Sequence, residues 1–195
     1  MEKIIDLRIV EEPKRPMAMN PRKFGMWLFL ASVMMLFMSL TSAYIVRQAE
    51  GNWVFFELPS LFYITSVIIV ASSVTMQLAF FAAKRDNEKM LQTLIIVTAV
   101  LGIGFLVGQF YGWKQLVANS IYLVGNPSGS FLYVLTGLHG AHIISALVFL
   151  VLVCVAAFRG KIHSKNMARM EMCTTYWHFL GGLWLYLFIF LLLYR

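Results

Sequence analysis

Hydrophobic residues in this chain gather into five long runs that contain no Asp, Glu, Lys or Arg. The runs cover residues 24–46, 60–83, 90–113, 130–158 and 174–194. Each is longer than the roughly 20 residues that an α-helix needs to cross about 30 Å of hydrocarbon. Polar and apolar residues do not alternate along them, which argues against the strands of a membrane β-barrel. The pattern therefore predicts an all-α membrane protein, a bundle of five transmembrane helices.

The composition supports a membrane location for nearly the whole chain. Of the 195 residues, 60% are hydrophobic and only 13% are charged, whereas soluble globular proteins average about 45–50% and about 25%. Residues 1–23 are predicted to form a polar cytoplasmic tail, and residues 24–195 one transmembrane domain without internal repeats. The two cysteines, Cys154 and Cys173, give no disulfide framework and are expected to be free thiols.

The basic residues indicate how the bundle is oriented. The chain has 16 Lys and Arg residues and a formal net charge of +7. Most of them fall in the N-terminal tail and in the loops at 84–89 and 159–169, which a five-helix order places on one side. The positive-inside rule then puts the N-terminus in the cytoplasm and the C-terminus outside. Because these residues are split among three short segments, they do not predict a nucleic-acid surface.

Few ionisable residues lie inside the predicted helices, where such residues are the usual candidates for function. They are His139, His142 and His178, with Glu171 at the cytoplasmic edge. His139 and His142 share a helix face, but a zinc site needs a third ligand. Counted from the cytoplasmic ends of their helices, His142 is about 24 Å deep and His178 only about 9 Å deep.

Haem is disfavoured as well, because two histidine ligands must approach the iron from opposite sides, and neighbours on one helix face do not. The histidines are instead expected to hydrogen-bond across helices to hydroxyls, carbonyls or lipid head groups. We therefore expect no catalytic, cofactor-binding or metal-binding residue in this chain.

Glycines at four-residue spacing indicate faces where helices can approach closely. Gly104, Gly108 and Gly112 follow this spacing on the predicted third helix, and Gly137 and Gly140 lie beside the histidines of the fourth. The sequence shows no phosphate-binding loop, no ring of charges and no nucleophile with its base. The chain is thus expected to be a packing partner. The alternative from another class is an independent small transporter or channel, which buried charges or mid-membrane helix breaks would favour.

Several short motifs together resemble a known family. They are GMWLFLAS at residues 25–32, KMLQTL at 89–94, TGLHGAH at 136–142, and Glu171 followed by Tyr176, Trp177, His178 and Phe179. Gln109 and Trp113 also match. The chain resembles subunit III of the haem–copper terminal oxidases, in the five-helix bacterial form that lacks the first two helices of the seven-helix version. The histidines, the spaced glycines, Glu171, Tyr176 and Trp177 are candidate helix-packing, lipid-contact or subunit-interface residues.

The resemblance implies a non-catalytic subunit of cytochrome c oxidase, a proton-translocating oxidoreductase of the bacterial inner membrane. Haem and copper are expected in partner subunits and not in this chain. The resemblance further implies that the chain packs on catalytic subunit I, with subunit II in the same complex. It also implies that the chain binds phospholipid and supports proton uptake, stability and turnover in electron transport to oxygen. Subunit III of a quinol oxidase and an accessory protein of nitric oxide reductase are alternatives in the same family.

The sequence departs from the family at three positions where acidic residues are frequent. These positions correspond to Val33, Gly112 and Gly181. Their joint replacement argues against a direct proton-handling role for this chain and leaves Glu171 as the remaining carboxylate candidate within the membrane region.

Overall fold

The computed structural model describes residues 21–164 and 166–194 and consists of five long α-helices within them. They are α1 (Pro21–Ala49), α2 (Leu61–Lys84), α3 (Glu88–Ala118), α4 (Pro127–Phe158) and α5 (Ala168–Leu193). Each is long and apolar enough to span a membrane. The predicted helical class and the five spans are therefore confirmed. Residues 1–20 of the predicted tail lie outside the described residues, while residues 21–23 already belong to α1.

α3 and α4 begin two to three residues before the uncharged runs, where side chains cap their first turns. Asn87 caps α3 and Asn126 caps α4, each accepting a hydrogen bond from a first-turn backbone N–H through its side-chain oxygen. Pro127 fits the first turn of α4, where a missing N–H has no consequence. The largest difference is at α5, which begins at Ala168 and not near residue 174. The additional turn places Glu171 in the first turn of that helix.

The bundle is arranged around α5. α2 and α3 form the most extensive helix pair, α4 packs on α3, and α5 packs on both α2 and α4. Within the described residues, α1 contacts only α4 and α5. More than half of the most apolar window of α5 is buried, against a third or less for the other four helices. α5 is thus the central helix and α1 the peripheral one.

Hydroxyl groups of α2 determine which residues of α5 face it. Trp184 donates its indole N–H to Ser66 Oγ at 2.9 Å, and Trp177 donates to Ser72 Oγ at 3.1 Å. Both serine hydroxyls donate in turn to a carbonyl oxygen of α2. An indole N–H without a partner is costly in a medium without water. These bonds therefore fix the rotation of α5 against α2.

Contacts between loops and helix ends close the bundle at both ends. Asp86 Oδ1, between α2 and α3, accepts a hydrogen bond from the backbone N–H of Ser164, between α4 and α5, at 2.6 Å. At the opposite end, the Tyr44 hydroxyl and the Gln48 amide both donate to the carbonyl oxygen of Tyr194 at 3.0 Å. The peripheral helix α1 is thereby tied to the end of α5.

Candidate functional site

His139 lies in the centre of the bundle. Its side chain is fully buried, and its ring centroid lies 5.3 Å from that of Trp184, 5.9 Å from that of Phe105 and 6.4 Å from that of Phe37. Neither ring nitrogen has a hydrogen-bond partner among the described residues. The expected cross-helix hydrogen bond to a protein group is therefore not formed there, because aromatic rings of three neighbouring helices enclose the imidazole.

His142, three residues further along α4, faces α1. Its Nδ1 atom lies 2.7 Å from the carbonyl oxygen of Leu138, so Nδ1 carries the proton and donates within its own helix and not across helices. The ring also lies 5.8 Å from that of Phe37 on α1. Next to it, the Tyr176 hydroxyl of α5 is hydrogen-bonded to Ser145 Oγ at 2.6 Å. This group links α4 to α1 and α5.

His178 makes the cross-helix bond that the sequence led us to expect. Its Nε2 atom lies 2.9 Å from Gln77 Oε1 on α2. On its other side, His178 lines a groove of about 350 Å³ between α1 and α5, together with Met34, Met38 and Tyr186. The surroundings of His178 are thus apolar apart from the glutamine.

No three His, Cys, Asp or Glu side chains converge in the described parts of the chain. The depth of His178 needs correction, because α5 starts earlier than predicted and the residue lies ten positions, about 15 Å, from its start. His142 and His178 nevertheless have different hydrogen-bond partners, the carbonyl oxygen of Leu138 on α4 and Gln77 on α2.

Two of the three glycines of α3 pack against α2. A methyl group placed on Gly108 would lie 2.4 Å from Thr65 Cγ2, and one placed on Gly112 would lie 2.6 Å from Phe62 Cε1. Gly104 has no such neighbour within 4 Å. The predicted groove is therefore shorter than the sequence suggested and does not include Gly104.

The glycines of α4 make looser contacts. A methyl group on Gly137 would lie 3.8 Å from Trp113, an ordinary contact, and one on Gly140 would meet nothing within 4 Å. Neither position is a close helix approach within this chain.

The sequence reasoning missed a close approach at Gly102. A methyl group there would lie 2.7 Å from Cη2 of Trp177, so the large ring of the predicted Tyr176–Trp177 pair packs onto the bare backbone of α3. Gly102 lies two residues from Gly104 and therefore faces away from it. No sequence spacing signalled this contact, because Trp177 lies on a helix distant along the chain.

Glu171 forms an ion pair with Lys23. The carboxylate accepts a hydrogen bond from the Lys23 ammonium, and the pair joins the first turn of α5 to the start of α1. The two side chains are 43% and 38% exposed, so the pair lies at the rim of the bundle. Lys23 is 148 residues away along the chain, so sequence spacing gave no sign of this pairing.

A basic groove opens beside this ion pair. It has a volume of about 450 Å³, lies at the end of α4 and the starts of α1 and α5, and has an apolar floor that includes Leu152 and Val155. No carboxylate lines it among the described residues, and four cationic side chains do: Arg22, Arg159, Lys161 and Arg169.

Comparison with known proteins decides the family. The model of the family described as cytochrome c oxidase subunit III matches residues 12–195. The chain belongs to the cytochrome c oxidase subunit III family. The chain is 30% identical over 188 residues to cytochrome c oxidase subunit 3 of Corynebacterium diphtheriae, covering 91% of each chain. It is 26% identical over 175 residues to the probable quinol oxidase subunit 3 of Staphylococcus saprophyticus, covering 87% of each.

As a subunit III chain, the molecule is a multi-pass membrane protein and part of a haem–copper oxidase complex, an oxidoreductase. The three positions at which the resemblance led us to expect acidic residues all lie in the interior. Val33 is 3% exposed, Gly112 abuts Phe62, and a methyl group on Gly181 would lie 2.9 Å from Ser73 Oγ. Neighbouring side chains thus fill the space that longer residues would need.

Replacing Glu171 with glutamine is expected to loosen α1 while leaving the chemistry of the complex nearly intact. Partly exposed ion pairs contribute little, typically about 0–1 kcal/mol, and Glu171 and Lys23 are both partly exposed at the rim of the bundle. We expect turnover of the assembled oxidase within about threefold of wild type, whereas loss of a proton-transfer group costs roughly 100-fold or more. Initial turnover and proton-pumping ratio measure this on complexes that retain the subunit.

The matched control is Glu50→Gln, because Glu50 lies just after α1 and pairs with Arg47 in the last turn of that helix, so this pair joins no second helix. The double variant Lys23→Glu, Glu171→Lys exchanges the two charges and keeps an ion pair between α1 and α5. It is therefore expected to restore the retention of the subunit that Glu171→Gln weakens by loosening α1. Collapse of turnover in intact Glu171→Gln complexes would assign this carboxylate to proton transfer.

Proposed function

We propose that this subunit III is a non-catalytic subunit of an aerobic cytochrome c oxidase in the bacterial inner membrane. In this proposal it packs on catalytic subunit I, with subunit II in the same complex, and sustains proton uptake and turnover during electron transport to oxygen. The N-terminus faces the cytoplasm and the C-terminus the outside, as the positive-inside rule indicates. Haem and copper belong to the partner subunits.

The distribution of polarity carries this proposal. Three polar side chains of α5 inside the membrane region, Trp177, Trp184 and His178, bond to another helix of the same chain. The outward faces are apolar, and α1 in particular exposes Trp27 and Met35 by 62% and 71%. Such a surface suits lipid and a hydrophobic protein partner and offers no polar path across the membrane.

The isolated chain is expected to be colourless and free of metal. The complex purified in mild detergent through a tag on this chain is expected to show the absorption of haem and to contain copper. The optical spectrum, metal analysis and mass spectrometric identification of co-purified subunits measure both results. Stoichiometric haem or zinc on the polypeptide expressed alone would contradict the proposal, as would a tagged complex without haem-bearing partners.

Oxidation assays of the same complex distinguish the two electron donors. Relatives of the chain are named for cytochrome c oxidases and for a quinol oxidase, and the proposal takes cytochrome c as the donor. Turnover with a quinol and none with reduced cytochrome c would assign the complex to the quinol oxidases.

Phospholipid binding is proposed at the basic groove. The rim presents cationic side chains beside Leu152 and Val155, which are exposed on the last turns of a transmembrane helix. A phosphate group attracts the cations while acyl chains cover the apolar floor, and no carboxylate in the groove opposes this. Arg159 and Lys161 stand on the same loop, and neither forms an ion pair with a carboxylate of the described residues.

Replacing Arg159 and Lys161 with glutamine is expected to release phospholipid from the purified complex. Each cation near the lipid surface contributes about 1 kcal/mol to the attraction of anionic lipid, which corresponds to about fivefold in affinity per charge. Mass spectrometry of lipids retained after graded detergent washing measures the loss. Lys84→Gln is the control, because Lys84 is an exposed basic residue at the same end of the bundle and lies outside the groove. Equal lipid loss in both variants would mean that the groove is not a specific site.

A further inference from the structure

His139 carries unused hydrogen-bonding capacity in the core. Both ring nitrogens are buried and have no partner among the described residues. A neutral imidazole has one N–H donor and one nitrogen lone pair, and buried polar groups in native proteins are nearly always paired with protein or ordered water. The three aromatic rings around His139 have no atom in the plane of the ring that could accept a hydrogen bond from the imidazole N–H.

Gln109 on α3 has a buried acceptor without a donor, which complements the unpaired N–H of His139. Its Nε2 atom donates to Thr65 Oγ1 at 3.1 Å, and the Thr65 hydroxyl itself donates to the carbonyl oxygen of Phe62. With the hydroxyl proton directed to Phe62, the threonine oxygen accepts, and the glutamine amide is assigned with Nε2 towards Thr65. Gln109 Oε1 remains buried with no donor among the described residues.

The two groups lie at the same level of the bundle. Trp113 of α3 donates to Thr136 of α4 at 3.0 Å and sets the register of these antiparallel helices. Gln109 lies four residues before the tryptophan and His139 three residues after the threonine, so both lie one turn from that bond in the same direction. Phe105, one turn from Gln109 on α3, contacts the ring of His139 at 5.9 Å.

We infer that one internal water molecule bridges His139 and Gln109 and links α4 to α3. The water accepts a hydrogen bond from the His139 N–H and donates one to Gln109 Oε1. It thereby meets the two to four polar partners that buried waters require. Together with the bond from Gln109 to Thr65, the water connects α4, α3 and α2 by hydrogen bonds inside a layer that is otherwise aromatic.

A double-mutant cycle in the purified complex tests the bridge. We expect His139→Phe and Gln109→Leu each to lower the temperature at which this subunit dissociates by roughly 2–4 °C, the shift expected for a modest loss in a chain of this size. The double variant should fall about as far as one single variant, because the second change removes a partner that is already unpaired. Additive shifts would overturn the inference, as would a raised dissociation temperature for His139→Phe, which is the result expected of an unbridged imidazole.

The control cycle replaces Gln109→Leu with Gln77→Leu. Gln77 bonds His178 and not His139, so its effect should add to that of His139→Phe. Coupling of equal size in this cycle would show that the first cycle reports general loosening of the bundle, and it would overturn the inference.

Solid-state NMR of the wild-type complex with ¹⁵N-labelled histidine gives a direct readout that does not depend on the stability of variants. The His139 ring N–H is assigned by its loss in His139→Phe and is expected to correlate with the protons of a slowly exchanging water. That correlation should disappear in Gln109→Leu. A His139 ring without any water correlation in the wild-type complex contradicts the bridge.

Discussion

Replacing Trp184 with alanine is expected to lower the free energy of unfolding by about 3–5 kcal/mol, the range for a large aromatic residue removed from a core. The indole is fully buried, and its ring centroid lies 5.1 Å from that of Phe105 and 5.9 Å from that of Phe62, both edge-on. The substitution removes these ring contacts and the donor to Ser66. It opens a cavity where α2, α3, α4 and α5 meet. Denaturant titration of the purified chain in detergent micelles measures the loss.

Trp27→Ala is the matched control for Trp184→Ala. Trp27 lies on the peripheral helix α1 and is 62% exposed. Its removal from the isolated chain is expected to change the free energy of unfolding by no more than about 0.5 kcal/mol. Similar losses for both tryptophans would show that the aromatic layer around α5 does not hold the bundle together.

Gly108→Leu is the second substitution with a large expected effect, about 1–3 kcal/mol of destabilisation from overpacking. A carbon added to Gly108 would lie 2.4 Å from Thr65 Cγ2. The threonine has little freedom to move, because its side chain is β-branched and its hydroxyl is bonded to both Phe62 and Gln109. α2 and α3 must then separate, and the subunit is expected to be lost from the complex in detergent. Retention on a native gel and the melting curve measure the effect.

Gly104→Leu provides the control on the same helix. Gly104 has no atom within 4 Å of an added carbon, so the leucine should be accommodated without loss of stability in the isolated chain. If Gly104→Leu is lost from the complex while the isolated chain keeps its stability, that face of α3 contacts another subunit. Wild-type behaviour of Gly108→Leu would place its face towards lipid and contradict the packing described above.

The histidines show where sequence reasoning was limited. The three-residue spacing correctly predicts that His139 and His142 lie on one side of α4, because both rings contact Phe37. Spacing does not indicate which helices lie opposite that side. α1 covers His142, whereas α3 and α5 enclose His139 with Phe105 and Trp184. The difference in burial therefore comes from neighbours that are distant along the chain.

Glycine spacing has the same limitation. The four-residue repeat predicted a common face for Gly104, Gly108 and Gly112, but only at the last two would an added carbon meet a residue of α2 within 4 Å. α2 and α3 also contact each other beyond Gly104, through Thr75 and Thr98, so the difference comes from helix rotation: residues four apart differ by about 40° in direction. The close approach at Gly102 was missed because it depends on the position of Trp177 on α5.

The sequence by itself determined the membrane environment, the five helices and the family, because hydrophobic run length and short motifs are local properties of the chain. Capping residues such as Asn87 and Asn126 also act locally and set helix ends. Only the tertiary structure decided that Glu171 pairs with Lys23, 148 residues away, that α1 is peripheral, and that His139 lies within an aromatic layer. Those features depend on how the helices rotate and cross, which is set by the fit of side chains from different helices and not by the hydrophobicity of any one of them.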